Sequence, residues 1–298
     1  MKIKNWIECG INIVWKIFVI GICIFLCWLG AQIFLFSSYN IPSDSMQPTL
    51  QPGDRILVNK TCMGARLFDL RPAFEHRPFK IYRTWGWNKL KTGDVAVFNY
   101  PYPQTRDSIG FDIMTYYVKR CIGTPGDSLE IVKGYYKING KKWIDMPVSV
   151  RRKQDSLHYV FCYGERKIHG VSTKAFPKKK KIGWSILDFG PLYIPKKGDI
   201  LFLNERHYLL YRCLIEWEQG KKLIWENGSA YLDGKRIAYY HFKKNYYFMG
   251  GDNVFSSVDS RYWGLVPEEF IAGKATLIWK SIEPYSEKMR WERIGKIR

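Results

Sequence analysis

The chain has 298 residues, 16% of them aromatic, and 47 Lys and Arg against 27 Asp and Glu give a formal net charge of +20. That length allows one large or two modest domains with a real hydrophobic core, and the composition argues against disorder. The positive field favours an anionic partner, either nucleic acid or an anionic lipid surface, and charge alone does not choose between them.

The N-terminus does choose. Ile17 to Phe36 (IFVIGICIFLCWLGAQIFLF) carries no charged residue. At about 1.5 Å per residue it spans roughly 30 Å, the thickness of a bilayer's hydrocarbon core. Lys2, Lys4 and Lys16 precede it, whereas Ser37, Ser38, Tyr39 and Asn40 just after it include no basic residue. This asymmetry predicts a cytoplasmic segment 1–16, a single-pass anchor 17–36 and an ectodomain on the outer side from Ser37 onward. The run exceeds the usual apolar region of a signal peptide, about 7–15 residues, and no small-x-small site follows it, so a retained anchor is expected. An anionic leaflet surface is then the expected partner, and no nucleic acid. Cys9, Cys23 and Cys27 lie in or beside the anchor, while Cys62, Cys121, Cys162 and Cys213 are widely spaced. With no CxxC pair, no metal site and no cofactor are expected.

After the anchor, short runs of β-branched and aromatic residues are bounded by Gly, Pro, Asn and Asp. Four of them follow a Gly-Asp pair: PGDRILV at 52–58, GDVAVF at 93–98, PGDSLEI at 125–131 and GDILFL at 198–203. This recurring turn feeds strands, and hairpin turns are predicted at Asn139-Gly140, Asn227-Gly228 and Asp233-Gly234. No long amphipathic helical stretch is evident, so the expected fold is mainly β. Residues 141–240 are more basic and less regular than their flanks. They read as an inserted cap or second β domain between the two parts of a β core, 37–140 and 241–298. The run Lys178 to Lys181 within the insertion reads as a solvated loop, with anionic headgroups as the sharper alternative.

Pro42-Ser43-Asp44-Ser45-Met46-Gln47-Pro48-Thr49-Leu50 follows the anchor closely, and its prolines stiffen both ends of a turn that could present a serine hydroxyl in one geometry. A serine needs a base. His76, His158, His169, His207 and His241 lie in no evident catalytic motif, and there is no G-x-S-x-G elbow. A lysine with a depressed pKa is the alternative. In the strand-like run Thr115 to Gly123, Tyr117, Lys119 and Cys121 share one face, which sets Lys119 between largely apolar neighbours. A third segment, Gly250 to Gly264, has glycines that permit close backbone approach. Within it Ser257 could orient a neutral lysine, and Asp259 and Arg261, two apart, could pair, with a polar loop holding a structural ion pair as the other reading.

These segments, in this order behind an anchor, resemble the bacterial type I signal peptidase family. Pro42 to Leu50 matches its serine box P-S-x-S-M-x-P-T-L, and Gly53 to Val58 its next box. Tyr117 to Asp127 matches the lysine box, and Gly251 to Gly264 the last box. The resemblance implies a β core with an inserted β-rich cap and a membrane-bound serine endopeptidase acting at the outer face of the bacterial inner membrane. Such an enzyme removes signal peptides from exported preproteins, cutting after small residues in an Ala-x-Ala-like pattern. It implies Ser45 as nucleophile, Lys119 as general base, and an oxyanion hole from the Ser45 N–H and the Ser43 hydroxyl. Ser257 would orient Lys119, while Asp259 and Arg261, with Gly251 and Asp252, would brace the loop. Met46, Leu50, Tyr117 and Val118 would line the pockets for the small substrate residues, with the substrate added as a β-strand. Three features depart from the pattern: Val254 stands where Arg is usual, Thr61 to Lys91 is long and basic, and only one transmembrane segment is evident. A self-cleaving repressor-type Ser/Lys protease and a non-enzymatic basic membrane protein are the competing readings. Aromatic surface from Phe79 to Trp87, with Trp85 and Trp87, is expected to dip into the outer leaflet.

Overall fold

The computed structural model describes residues 2–69, 71–72, 75, 80–105, 107–163 and 172–297. Helix α1 runs Lys2–Phe34, and its part Asn12–Phe34, with a mean hydropathy of 2.5, is long and apolar enough to cross a membrane. Leu35 alone separates it from strand β1, Phe36–Asn40. Phe36, expected as the last anchor residue, therefore opens the first strand.

Seven more strands complete one sheet: β2 (Asp54–Asn59), β3 (Val95–Asn99), β4 (Tyr116–Gly123), β5 (Tyr246–Gly250), β6 (Val266–Pro267), β7 (Ile271–Ser281) and β8 (Gly295–Lys296). Their order is β1-β2-β7-β3-β4-β5-β6, with β8 beside β7. Every pairing within it is antiparallel. Strand β3 is buried on both faces, and its side chains alternate between two cores. Val95 and Val97 join Met46, Leu50, Ile56, Val58 and Ala272, while Ala96 and Phe98 join Cys121, Tyr247, Met249, Trp263 and Phe270. Each fully buried large side chain of this kind contributes about 1.5–3 kcal/mol.

The four Gly-Asp turns share one construction. Asp54, Asp94, Asp127 and Asp199 each donate a backbone N–H to the carbonyl three residues earlier, at 3.0–3.1 Å. Each carboxylate accepts in return from that residue's N–H: Gln51, Lys91, Thr124 and Lys196 donate at 2.8–2.9 Å. The glycines Gly53, Gly93, Gly126 and Gly198 have φ of +88°, +94°, +96° and +94°, at the turn position that favours glycine. The hairpins expected at Asn139-Gly140, Asn227-Gly228 and Asp233-Gly234 are present, with positive φ at both residues of each turn.

The chain leaves the main sheet at Gly123 and re-enters it at Tyr246. Between them lie a four-stranded sheet, two smaller sheets and two helices, α2 (Val148–Tyr163) and α3 (Glu205–Gln219). The helices correct the expectation that no long amphipathic stretch interrupts the strands. Leu210, Tyr211, Leu214 and Ile215 make one buried stripe on α3, Asn204 caps its start by accepting from the His207 N–H, and Gly220 ends it at φ 62°. Aromatic and β-branched residues in these segments masked the helical period. Phe248 and Tyr246 of β5 belong to the same core as α3, so the two parts share packing.

Candidate active site

The turn Pro42–Leu50 joins β1 to β2 and lies against the end of β5. Its serine is 9% exposed, and Lys119 of β4 is 5% exposed. Lys119 Nζ lies 2.7 Å from Ser45 Oγ and donates to the Val118 carbonyl at 3.1 Å. Burial pushes the Lys119 pKa down to about 8, against the opposing pull of Asp259 and Asp252.

Both carboxylates are already engaged. Asp259 accepts from Arg261 Nε at 2.8 Å and Nη2 at 2.6 Å, from the Gly251 N–H at 2.8 Å and from Ser257 Oγ at 2.8 Å. Burial would raise its pKa, but the Arg261 charge and these donors hold it below the ordinary value. Asp252 takes a second two-pronged bond, from Arg120 Nε at 2.7 Å and Nη2 at 2.6 Å. Arg120 also donates to the Gly93 carbonyl at 2.7 Å and to Thr49 Oγ1 at 3.1 Å. It thereby ties the serine turn, a Gly-Asp turn and the last segment together. Sequence reasoning gave Arg120 no role, although strand alternation had already put it on the face opposite Lys119.

The last segment clasps the serine turn directly. The Asn253 N–H donates to the Ser45 carbonyl at 3.0 Å, and Ser256 Oγ donates to Asp44 Oδ1 at 2.9 Å. Gly251 has no room for a side chain: a Cβ there would lie 2.0 Å from Ser257 Oγ and 2.8 Å from the Ser45 carbonyl. Ser257, expected beside the lysine, spends its proton on Asp259, and no Ser257–Lys119 hydrogen bond is found among the described residues. Ser43 Oγ is 3.4 Å from Ser45 Oγ.

The basic group against the Ser45 hydroxyl is thus the buried Lys119 amine, and no histidine hydrogen-bonds Ser45 among the described residues. The model of the family described as "Signal peptidase, peptidase S26" matches residues 11–280. The chain belongs to that family. A signal peptidase I of Buchnera aphidicola from Schizaphis graminum is 32% identical over 277 residues, 89% of this chain and 75% of the relative. One from Pseudomonas fluorescens is 30% identical over 277 residues, 89% of this chain and 72% of the relative. The crystal structure of a signal peptidase I from Enterococcus faecalis has 18% identity over 63% of this chain and 98% of its own, at a TM-score of 0.30. The family assignment rests on the sequence matches. Membership makes the chain a serine endopeptidase that removes signal peptides from preproteins.

The remaining site residues of the signal peptidase reading divide by burial. Tyr117 and Val118 are half-buried, on opposite faces of β4, and Tyr117 stacks on Tyr100 at 4.7 Å. Met46 and Leu50 are closed off inside the core, Met46 at 1% exposure. His158 on α2 and His207 on α3 bond the Lys133 and Phe202 carbonyls, His241 lies on the strand Tyr239–His241, and His76 and His169 fall outside the described residues.

Proposed function

We propose that this peptidase cuts exported preproteins after small residues, in an Ala-x-Ala-like pattern, with Ser45 as nucleophile and Lys119 as general base. The 2.7 Å contact between Lys119 Nζ and Ser45 Oγ carries the proposal. Neutral Lys119 accepts the Ser45 proton as Oγ attacks the scissile carbonyl, and the Ser45 N–H and Ser43 hydroxyl hold the oxyanion that forms. Donors so placed are typically worth about 3–4 kcal/mol at the transition state. Collapse breaks the peptide bond and expels the leaving amine, protonated by Lys119, leaving an ester on Ser45. Water then attacks that ester as neutral Lys119 takes its proton, and the Oγ–acyl bond breaks with the proton returned to Ser45. Ser257, Asp259 and Arg261, with Gly251 and Asp252, keep the loop and the lysine in register.

Substrate is read as an extended strand. Residues 116–119 of β4 pair with β3 on one side, while β5 begins to pair only at Arg120, which leaves a backbone edge beside the serine turn. Val118 and Tyr117 would contact the small side chains, with Met46 and Leu50 backing the pocket from within the core.

A lysine with pKa near 8 is about half neutral at pH 8, whereas at its ordinary value it would be under about 1% neutral. Cleavage of an Ala-x-Ala preprotein should therefore rise with pH through about 8 and level off above it, in a profile of kcat/KM from pH 6 to 10. Activity that still climbs towards pH 10, or products cut elsewhere, would sink this reading.

The proposed setting is the bacterial inner membrane, crossed once, with residues 1–16 in the cytoplasm and the site outside. The outer leaflet is the proposed lipid contact. Trp85 and Trp87 stack on each other at 6.3 Å and are 91% and 82% exposed, an apolar pair with no cover among the described residues. Phe79, expected in the same surface, lies outside the described residues. Replacing both tryptophans with Ala should lower the liposome-bound fraction of a form lacking the anchor severalfold in a sedimentation assay; unchanged partitioning would remove this contact.

A further inference from the structure

The last carbonyls of a helix have no partner within it and form the negative end of its dipole. At the end of α1 two of those groups, Gln32 and Ile33, and the carbonyl of Leu35 just beyond it are taken up by the ectodomain. Lys60 Nζ donates to the Gln32 carbonyl at 2.8 Å and to the Ile33 carbonyl at 3.2 Å. The Lys60 N–H donates to the Leu35 carbonyl at 2.8 Å, and Ser37 Oγ to that of Gln32 at 3.4 Å.

Lys60 directly follows β2, and β2 pairs with β1 at all five positions, from Phe36 with Asn59 to Asn40 with Arg55. Trp279 Nε1 holds β1 to β7 through Ser38 Oγ at 2.9 Å. The membrane helix is thus locked to the near end of a hairpin whose far turn carries Ser45. Five strand residues at about 3.4 Å each make that hairpin a stiff spacer of roughly 17 Å.

We propose that this junction, with Lys60 as its positioning residue, fixes the height of Ser45 above the bilayer and so selects how far beyond a substrate's apolar segment the cut falls. The inference rests on Ser45 being the nucleophile. An extended chain covers about 3.4 Å per residue, so a bond roughly five residues past a membrane-embedded stretch arrives at the serine. Shorter spacings fail to reach it, and longer ones must bow outward. A soluble peptide with the same cleavage sequence has no such constraint.

The test uses the full chain in proteoliposomes. The substrates are preproteins with about three to nine residues between the apolar segment and an Ala-x-Ala site, together with a soluble peptide carrying that site. The native protein should show a sharp optimum of kcat/KM against spacing. Inserting Gly-Ser-Gly-Ser between Leu35 and Phe36 should move the optimum to longer spacings, and Lys60→Met should flatten it by about threefold or more. Both variants should cut the soluble peptide within about twofold of native. Identical spacing profiles for the native and inserted chains would overturn the proposal. So would a parallel loss on the soluble peptide, which marks simple damage to the fold. Cleavage surviving in Ser45→Ala would instead remove the nucleophile assignment beneath it.

Discussion

Lys119→Met is expected to remove cleavage of a preprotein almost entirely while making the folded protein more stable. Loss of a general base, the role proposed for Lys119, typically costs about 10²–10⁴-fold, and Ser45→Ala, which removes the proposed attacking atom, should cost at least as much. The stability effect has the opposite sign because the lysine is buried without a carboxylate of its own. Its folded pKa of about 8, against 10.5 for the ordinary side chain, corresponds to about 3 kcal/mol. Between those two values the unfolded chain binds the proton and the folded chain does not, so stability rises with pH across that window. Below about pH 8 the folded state carries the full cost of a charged, buried amine. A methionine of similar length carries none. Thermal melts in detergent should show Lys119→Met above native by several degrees at pH 6–7, with the difference shrinking towards pH 10. A variant that loses activity and stability together at neutral pH would mean that Lys119 is held as a paired structural cation.

Much of the fold was legible because its signals are local. A Gly-Asp pair names a turn by chemistry that needs no tertiary context: glycine supplies the positive φ, and the aspartate closes the turn on the N–H three residues before it. All four such turns introduce strands, and the three hairpin pairs behave likewise. The helices α2 and α3 were lost for the converse reason. Their apolar stripes are built from the same Leu, Tyr, Ile and Val that mark strands, and only the caps Asn204 and Gly220 distinguish α3 locally. Base composition over 141–240 could suggest a separate part of the chain, but not that Tyr246 and Phe248 would share its core.

The site shows the same division. Ser45 and Lys119 stand in dense motifs, and strand alternation alone sets Lys119 between largely apolar neighbours. What alternation could not give is the partner of each charge. Arg120 follows Lys119 on the opposite face of β4, yet it is buried and crosslinks Asp252, Gly93 and Thr49. Ser257 sits where a lysine-orienting hydroxyl was expected, but its proton goes to Asp259. The first fact depends on residues 132 positions apart meeting at one place, which no local pattern encodes, whereas the second is a contact between residues two positions apart. Met46 and Leu50 belong to the same class: the motif marks them, and only packing shows that they lie behind the turn.

The pairing of the carboxylates also acts on the proposed base, because Asp259 and Asp252 raise the Lys119 pKa and Arg261 lowers it. Arg261→Met is expected to act twice, on stability and on the pH profile. Asp259 has no solvent exposure, and its two-pronged bond to Arg261 is the main compensation for its buried charge. Removing one partner of such a pair typically costs about 3–5 kcal/mol, enough to lower a melting temperature by many degrees. The carboxylate left behind is also the largest of the charges that raise the Lys119 pKa, and the Arg261 charge works against it. Without Arg261 the lysine should hold its proton to higher pH, so the rising limb of the kcat/KM profile moves to the alkaline side. Loss of fold alone lowers the profile without moving it, so the position of the limb separates the two effects. Asp259→Asn in the Arg261→Met background removes the stranded charge, and it should bring the limb back towards about pH 8. A profile that stays in place in Arg261→Met would show that the base is insulated from the ion pair beneath it.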